Sequence, residues 1–133
     1  MRKFLLGLVV VLGTGIFSSV FATISAPSNM NTLWQGYTGG QFIGVLGWTD
    51  NSNNESGFEL YRSNNTGSVG TKVQNLPANT TSTVVYSGGT NCRYSFYSVR
   101  SYRNFVWVSR LGLVANMVEY SSFSNPTLVV NNS

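Results

Sequence analysis

The chain reads as all-β, an antiparallel sandwich preceded by a hydrophobic leader. After the leader, no stretch sustains a helical repeat of apolar residues. Short apolar runs instead alternate with clusters of Gly, Asn, Pro and Ser, at the spacing of a many-stranded β domain. The run Gly47-Trp48-Thr49-Asp50-Asn51-Ser52-Asn53-Asn54-Glu55-Ser56-Gly57-Phe58-Glu59-Leu60-Tyr61-Arg62-Ser63 reads as strand, polar turn, strand. Charged residues are only 9% of the chain and aromatics 14%. A core is therefore available, and solubility rests on hydroxyls and amides; disorder would need the opposite balance.

The leader comes first. Met1-Arg2-Lys3 is a short positive segment, and Phe4 to Ala22 carries no charge. Val20 and Ala22 stand at the small-residue positions that signal peptidase reads, which predicts cleavage after Ala22, with Ala26 as a second candidate. A retained anchor is the alternative, because the uncharged stretch nearly reaches the ~20 residues that span a bilayer. Residues 1–22 are thus a signal segment or anchor, residues 23–122 one domain, and residues 123–133 a C-terminal tail. The expected location is secreted or at the cell surface. Cys92 is the one cysteine, so the core holds without an internal disulfide. Its two readings are a small residue near a strand start and an intermolecular link.

Ala26-Pro27-Ser28-Asn29-Met30 opens the domain, with Pro27 suited to the start of an edge strand and Met30 as its first core residue. Tyr37-Thr38-Gly39-Gly40 signals a turn. Gln41 to Thr49 is a strand on which Gly44, Leu46 and Trp48 share the core face. On the next strand Phe58 and Leu60 point inward, and Glu59 and Tyr61 outward. Arg62 has inward parity but sits at the strand end, where its head reaches water. Thr71 to Leu76 and Thr81 to Tyr86 form two short strands, and Arg93 to Tyr102 a longer one. Phe105-Val106-Trp107-Val108-Ser109 is an apolar loop region. Ala115 to Tyr120 is the last strand of the domain, and Thr127-Leu128-Val129-Val130 is one more strand or a sticky tail.

Several of these segments resemble the fibronectin type III domain. Trp48 to Ser63 is similar to its B strand, BC loop and C strand. Ala78-Asn79-Thr80-Thr81 looks like the run before its E strand, and Val99-Arg100-Ser101-Tyr102-Arg103-Asn104 like the end of its F strand. Ala115-Asn116-Met117-Val118-Glu119-Tyr120 resembles its G strand. The resemblance covers residues 26–122 and implies a seven-stranded antiparallel β-sandwich of the immunoglobulin-like kind, with a binding or adhesion role. One departure stands out: the family's corner tyrosine falls on Ser95, so either a β-bulge re-phases the strand there or the corner is missing.

Catalytic chemistry finds little support. The chain has no histidine, which removes the commonest general base and zinc ligand. Asp50 and Glu55 flank one loop, but they suit turn chemistry better than a glycosidase pair across a cleft. Glu55 is expected to bond its own turn or to pair with a nearby Arg. The same loop echoes a calcium site, yet the sixth position, which needs Gly, is Glu55, and the distal acid position is Tyr61. No catalytic residue, cofactor or metal is expected. Nucleic acid is disfavoured as well. Setting aside Arg2 and Lys3 leaves six cations (Arg62, Lys72, Arg93, Arg100, Arg103, Arg110) against four acids (Asp50, Glu55, Glu59, Glu119). That is an excess of two, with no basic run. Four Asn-X-Ser/Thr matches, at Asn54, Asn64, Asn79 and Asn131, carry little weight in so Asn-rich a chain.

The remaining lead is aromatic. Trp34, Tyr37, Phe105 and Trp107 are the candidate ligand-binding residues, expected on loops where flat rings stack on sugars or anchor an interface. The competing reading is that they cap the ends of the sandwich. The expected function is a non-catalytic module binding an extracellular protein or polysaccharide, with membrane contact only through the first segment. The alternative is a structural subunit of an envelope layer or filament, self-associating through sheet edges or the C-terminal tail.

Overall fold

A computed structural model describes residues 23–87 and 93–131. Residues 1–22, 88–92 and 132–133 lie outside them, and with them the expectations about cleavage, anchoring and the cysteine; Asn131, the acceptor of the final glycosylation match, is described and is 2% exposed. Eight strands follow in order: β1 (Ser28–Thr38), β2 (Gln41–Thr49), β3 (Gly57–Ser63), β4 (Thr71–Pro77), β5 (Ser82–Ser87), β6 (Arg93–Val108), β7 (Val114–Tyr120) and β8 (Thr127–Asn131). Among the described residues there is no helix. The strands form two antiparallel sheets. One has the order β1-β2-β5, the other β4-β3-β6-β7, with β8 also paired to β6.

The core lies between the sheets and follows the alternation of side chains. Phe42, Leu46, Trp48 and Val85 come from the first sheet, and Phe58, Leu60, Tyr97, Val99 and Val129 from the second, all buried. Trp48 and Phe58 meet across the interface with ring centroids 5.8 Å apart. Met30 and Leu76 pack against this cluster, partly buried. Each fully buried apolar side chain contributes about 1.5–3 kcal/mol, enough to hold the sheets together without a disulfide.

Residues 127–131, set apart in the sequence as part of a tail, are a strand of the second sheet. Arg93 to Tyr97 of β6 pair with Asn131 to Thr127, and Val129 is 4% exposed. β7 and β8 occupy the same edge of β6, which is why eight strands stand where seven were expected. The serines between them keep the ladder bonded. Ser121 N donates to Ser101 O at 3.0 Å and Ser124 N to Val99 O at 2.8 Å. In return Ser121 Oγ accepts from Ser101 N and Ser124 Oγ from Val99 N, both at 3.0 Å. The hydroxyls stand in for carbonyls that the interrupted strand cannot align.

β6 shows no register shift against β3, β7 or β8. The bulge considered at Ser95 is therefore absent. Ser95, Tyr97, Val99 and Ser101 share one face, and all four are buried. Tyr97 fills the core there, and burial pushes its phenol pKa up, partly offset by Arg62. Ser95 Oγ instead accepts from Arg62 Nε at 3.0 Å, while Arg62 itself is exposed.

The long edges of the sandwich are bridged by side chains. Between β1 and β8, Thr32 Oγ1 donates to Leu128 O at 2.9 Å and Val130 N donates to Gln35 Oε1 at 3.1 Å. Between β4 and β5, Gln74 Nε2 donates to Val84 O at 2.9 Å and its Oε1 accepts from Thr83 Oγ1 at 2.6 Å. These bonds consume backbone groups that would otherwise invite another strand.

Candidate functional site

The structure separates the four candidate aromatics and places all of them on strands rather than loops. β1 runs on to Thr38, so Trp34 and Tyr37 are strand residues. β6 runs on to Val108, so Phe105 and Trp107 are too. The apolar Phe105–Ser109 segment reads as a strand once its partner is known: Phe105 to Val108 pair with Met117 to Val114.

Tyr37 is structural. It pairs with Phe42, meets that ring edge-on at 5.3 Å, and its hydroxyl donates to Asn131 Oδ1 at 2.9 Å. Phe105 and Trp107 are half-buried and lie on the inward-parity face of the β6–β7 hairpin, where the Arg103 guanidinium sits 5.0 Å from the Phe105 ring. Trp34 alone of the four stands on the outer face of the three-stranded sheet, 50% exposed.

That outer face is built in register. A bulge between Thr32 and Trp34 turns Leu33 and Trp34 to the same side, over two glycines. A β-carbon on Gly36 would come within 2.9 Å of Trp34 Cζ2, and one on Gly47 within 2.8 Å of Leu33 Cδ1. The six-membered ring of the indole thus rests on the bare backbone of Gly36. Gly36 pairs with Ile43 and Ile43 with Tyr86. One row across the three strands therefore presents the Trp34 ring, Ile43 and Tyr86. The next row holds Trp34 by register, with Val45 between it and Val84, so the indole reaches the Ile43 row by leaning over Gly36. Two strand spacings separate the aromatic ends of the row, about 10 Å. Trp34, Tyr86, Leu33 and Val84 are all exposed. No charged residue occurs in β1, β2 or β5, so the whole sheet is neutral.

The charges gather on the other sheet. Glu59, expected to face outward, does so by parity but is only 6% exposed. Arg100 Nη2 lies 2.9 Å and Lys72 Nζ 3.2 Å from its carboxylate. Arg100 stacks 3.8 Å from the Tyr120 ring centroid and 4.9 Å from Phe123. This cluster of one acid, two bases and aromatics is invisible in the sequence, because its members are distant in the chain and meet only through the β3–β6 register. Glu59 is fully engaged, and the surplus positive charge sits on Lys72, whose side chain is 41% exposed.

The loop between β2 and β3 also has its acids tied down. Asp50 Oδ1 accepts from Ser52 N at 3.0 Å, the turn bond expected of it. Glu55 pairs with no arginine: its Oε2 accepts from Asn79 N at 2.9 Å, tying two loops together, and its carboxyl meets that of Asp50 within the loop. Burial and the nearby Glu55 raise the Asp50 pKa. Among the described residues no group of three or more His, Cys, Asp or Glu is placed to hold a metal ion. Compared with known proteins, the chain matches no family model and no curated protein.

Proposed function

We propose that the chain is an exported, non-catalytic binding module of fibronectin type III-like build, which holds an extracellular carbohydrate or protein on the outer face of its three-stranded sheet. The observation that carries this is a pair of exposed aromatics on a sheet without charge: the Trp34 ring, leaning over Gly36, and Tyr86, which shares the Gly36–Ile43–Tyr86 row. A neutral polysaccharide is the favoured ligand. The CH-rich face of a sugar ring loses water against an indole face at no ionic cost, whereas an acidic or nucleic-acid partner would find no cation there. The sheet orders support the type III likeness: with strands lettered as in the resemblance, they are A-B-E and C′-C-F-G.

The alternative is a subunit assembled through sheet edges or the tail, and β8 weakens its tail form. One side of the β8 backbone pairs with β6, Leu128 O and Val130 N on the other side are bonded by Thr32 and Gln35, and Val129 is in the core.

The test is a pulldown on insoluble cell-wall polysaccharide together with a glycan array. Trp34→Ala and Tyr86→Ala are each expected to lower retention about tenfold, equivalent to ~1.4 kcal/mol per stacking contact. Gly36→Ala should lower it too, because the added carbon displaces the indole. Trp107→Ala should bind as the parent does. Equal retention of the parent, Trp34→Ala and Tyr86→Ala would reject this face.

A further inference from the structure

Beyond the sheet face, the β6–β7 hairpin forms an arm. β3 ends its pairing with β6 at Tyr102, so from Arg103 onward only β7 accompanies β6. The arm carries exposed apolar side chains on its outward face, Val106, Val108, Val114 and Val118, and at its tip, Leu111 at 87% and Leu113 at 65%. Its opposite face bears the half-buried Phe105, Trp107 and Met117. Between Asn104 and Val118 the one charged residue is Arg110.

A rigid partner would cover one face of such an arm. Apolar groups on both faces and on the tip suit a fluid that surrounds it. The tip is also prepared to leave water. Ser109 N donates to Leu113 O at 2.8 Å and Gly112 N to Ser109 O at 3.0 Å. Ser109 Oγ accepts from Leu111 N at 3.2 Å and from Leu113 N at 2.9 Å. The amides of Ser109, Leu111, Gly112 and Leu113 thus have partners within the turn, which lowers the cost of a shallow entry into an apolar phase. Trp107 and Arg110 are the residue types that settle at a lipid headgroup layer.

The arm points the same way as the chain's beginning. Ser28 pairs with Thr49, so β1 starts at the end of the sandwich from which the arm projects. Ser25 O accepts from Ser52 Oγ at 3.0 Å and from Ser101 Oγ at 2.9 Å, two residues before the arm begins. Ser25, three residues after the uncharged stretch Phe4 to Ala22, is thus held at the arm's base, and where that stretch is kept as an anchor it turns this end of the domain toward the membrane.

We propose that the β6–β7 tip, Val108 to Val114, seats in the outer layer of a lipid bilayer, with Leu111 and Leu113 among the upper acyl chains and Arg110 on anionic headgroups. Among the described residues no third strand flanks the arm beyond Tyr102, which restricts this to shallow entry, about 5–10 Å. The full chain is reconstituted into phosphatidylcholine–phosphatidylglycerol vesicles with Cys92→Ser and a single new thiol, Leu111→Cys at the tip or Thr66→Cys in the loop at the opposite end. Each thiol carries an environment-sensitive dye. Expected is a blue-shifted tip dye, quenched several-fold more by doxyl-labelled lipid than the dye at position 66, with the difference abolished by adding Leu113→Asp. That aspartate lands on an exposed residue, so circular dichroism should show an unchanged fold. Equal quenching at both positions overturns the proposal. So does a tip signal that follows protein dilution at fixed lipid, which would make a second copy of the chain the occupant.

Discussion

The pair at the base of the arm gives the sharpest energetic prediction. Arg103 and Glu119 lie opposite each other on β6 and β7, with Nη2 2.8 Å from Oε1. Glu119 is fully buried, and Arg103 keeps 15% of its side chain exposed. The carboxylate's other oxygen, Oε2, is buried without a hydrogen-bond partner. Such a pair adds little over an apolar replacement, but losing one member strands the other. Arg103→Met removes the counter-charge and leaves Glu119 buried, at a cost of about 3–5 kcal/mol. It also forfeits the contact with Phe105, worth roughly 0.5–1 kcal/mol. Glu119→Leu strands a cation that can still reach water along its stem, so its cost is smaller, about 1–3 kcal/mol. The double variant Arg103→Met with Glu119→Leu should lie near the parent or above it by ~1–4 kcal/mol. Urea unfolding of the four proteins closes the cycle. A single-variant loss below about 1 kcal/mol, or a double variant no better than Arg103→Met, would refute the reasoning.

Four further outcomes follow from the same geometry. Val129→Ala should cost about 2 kcal/mol of stability by thermal or urea unfolding, and truncation after Asn125 should unfold the domain rather than merely alter assembly, because a core side chain and the β6–β8 pairing go together. Asp50→Asn keeps the turn acceptor but removes a carboxylate whose folded pKa is raised by burial and Glu55. The contribution of Asp50 is fully present below its unfolded pKa of about 3.9 and is lost as pH rises through the higher folded value. The variant should therefore melt above the parent at neutral pH and converge with it near pH 4 in a calorimetric series. Tyr37→Phe should lose roughly 1 kcal/mol with its bond to Asn131, and retention on polysaccharide should not change, since the ring faces Phe42 rather than the outer sheet face.

Most of the strand framework was legible because period-2 alternation survives wherever one face is buried. Leu46 and Trp48, then Phe58 and Leu60, declare their core face in the sequence, and the structure buries all four. The aromatics were harder. Trp34 follows a bulge, which breaks the alternation that would have assigned its side, and the turn signal at Tyr37–Gly40 hid how far β1 continues. Phe105 and Trp107 lie in an apolar run that suits a loop poorly and a hairpin well, but only the pairing with Ala115 and Met117 distinguishes them. Tyr86, the far end of the candidate row, carried no local mark, since its neighbour Ile43 is more than forty residues away in the chain.

The sequence by itself determined the all-β character, the neutrality of the strands that became the first sheet, the core faces of β2 and β3, and the absence of histidine chemistry. These are properties of composition and local period, which the backbone's alternation converts directly into inside and outside. Only the tertiary structure decided which aromatics share a face, that Val129 belongs to the core, that Glu59 and Glu119 are buried with their arginines, and that the apolar arm rises from the end where the chain enters. Each of these depends on strand register and sheet order, contacts between residues far apart in the chain, and a short-range pattern carries no information about its distant partner.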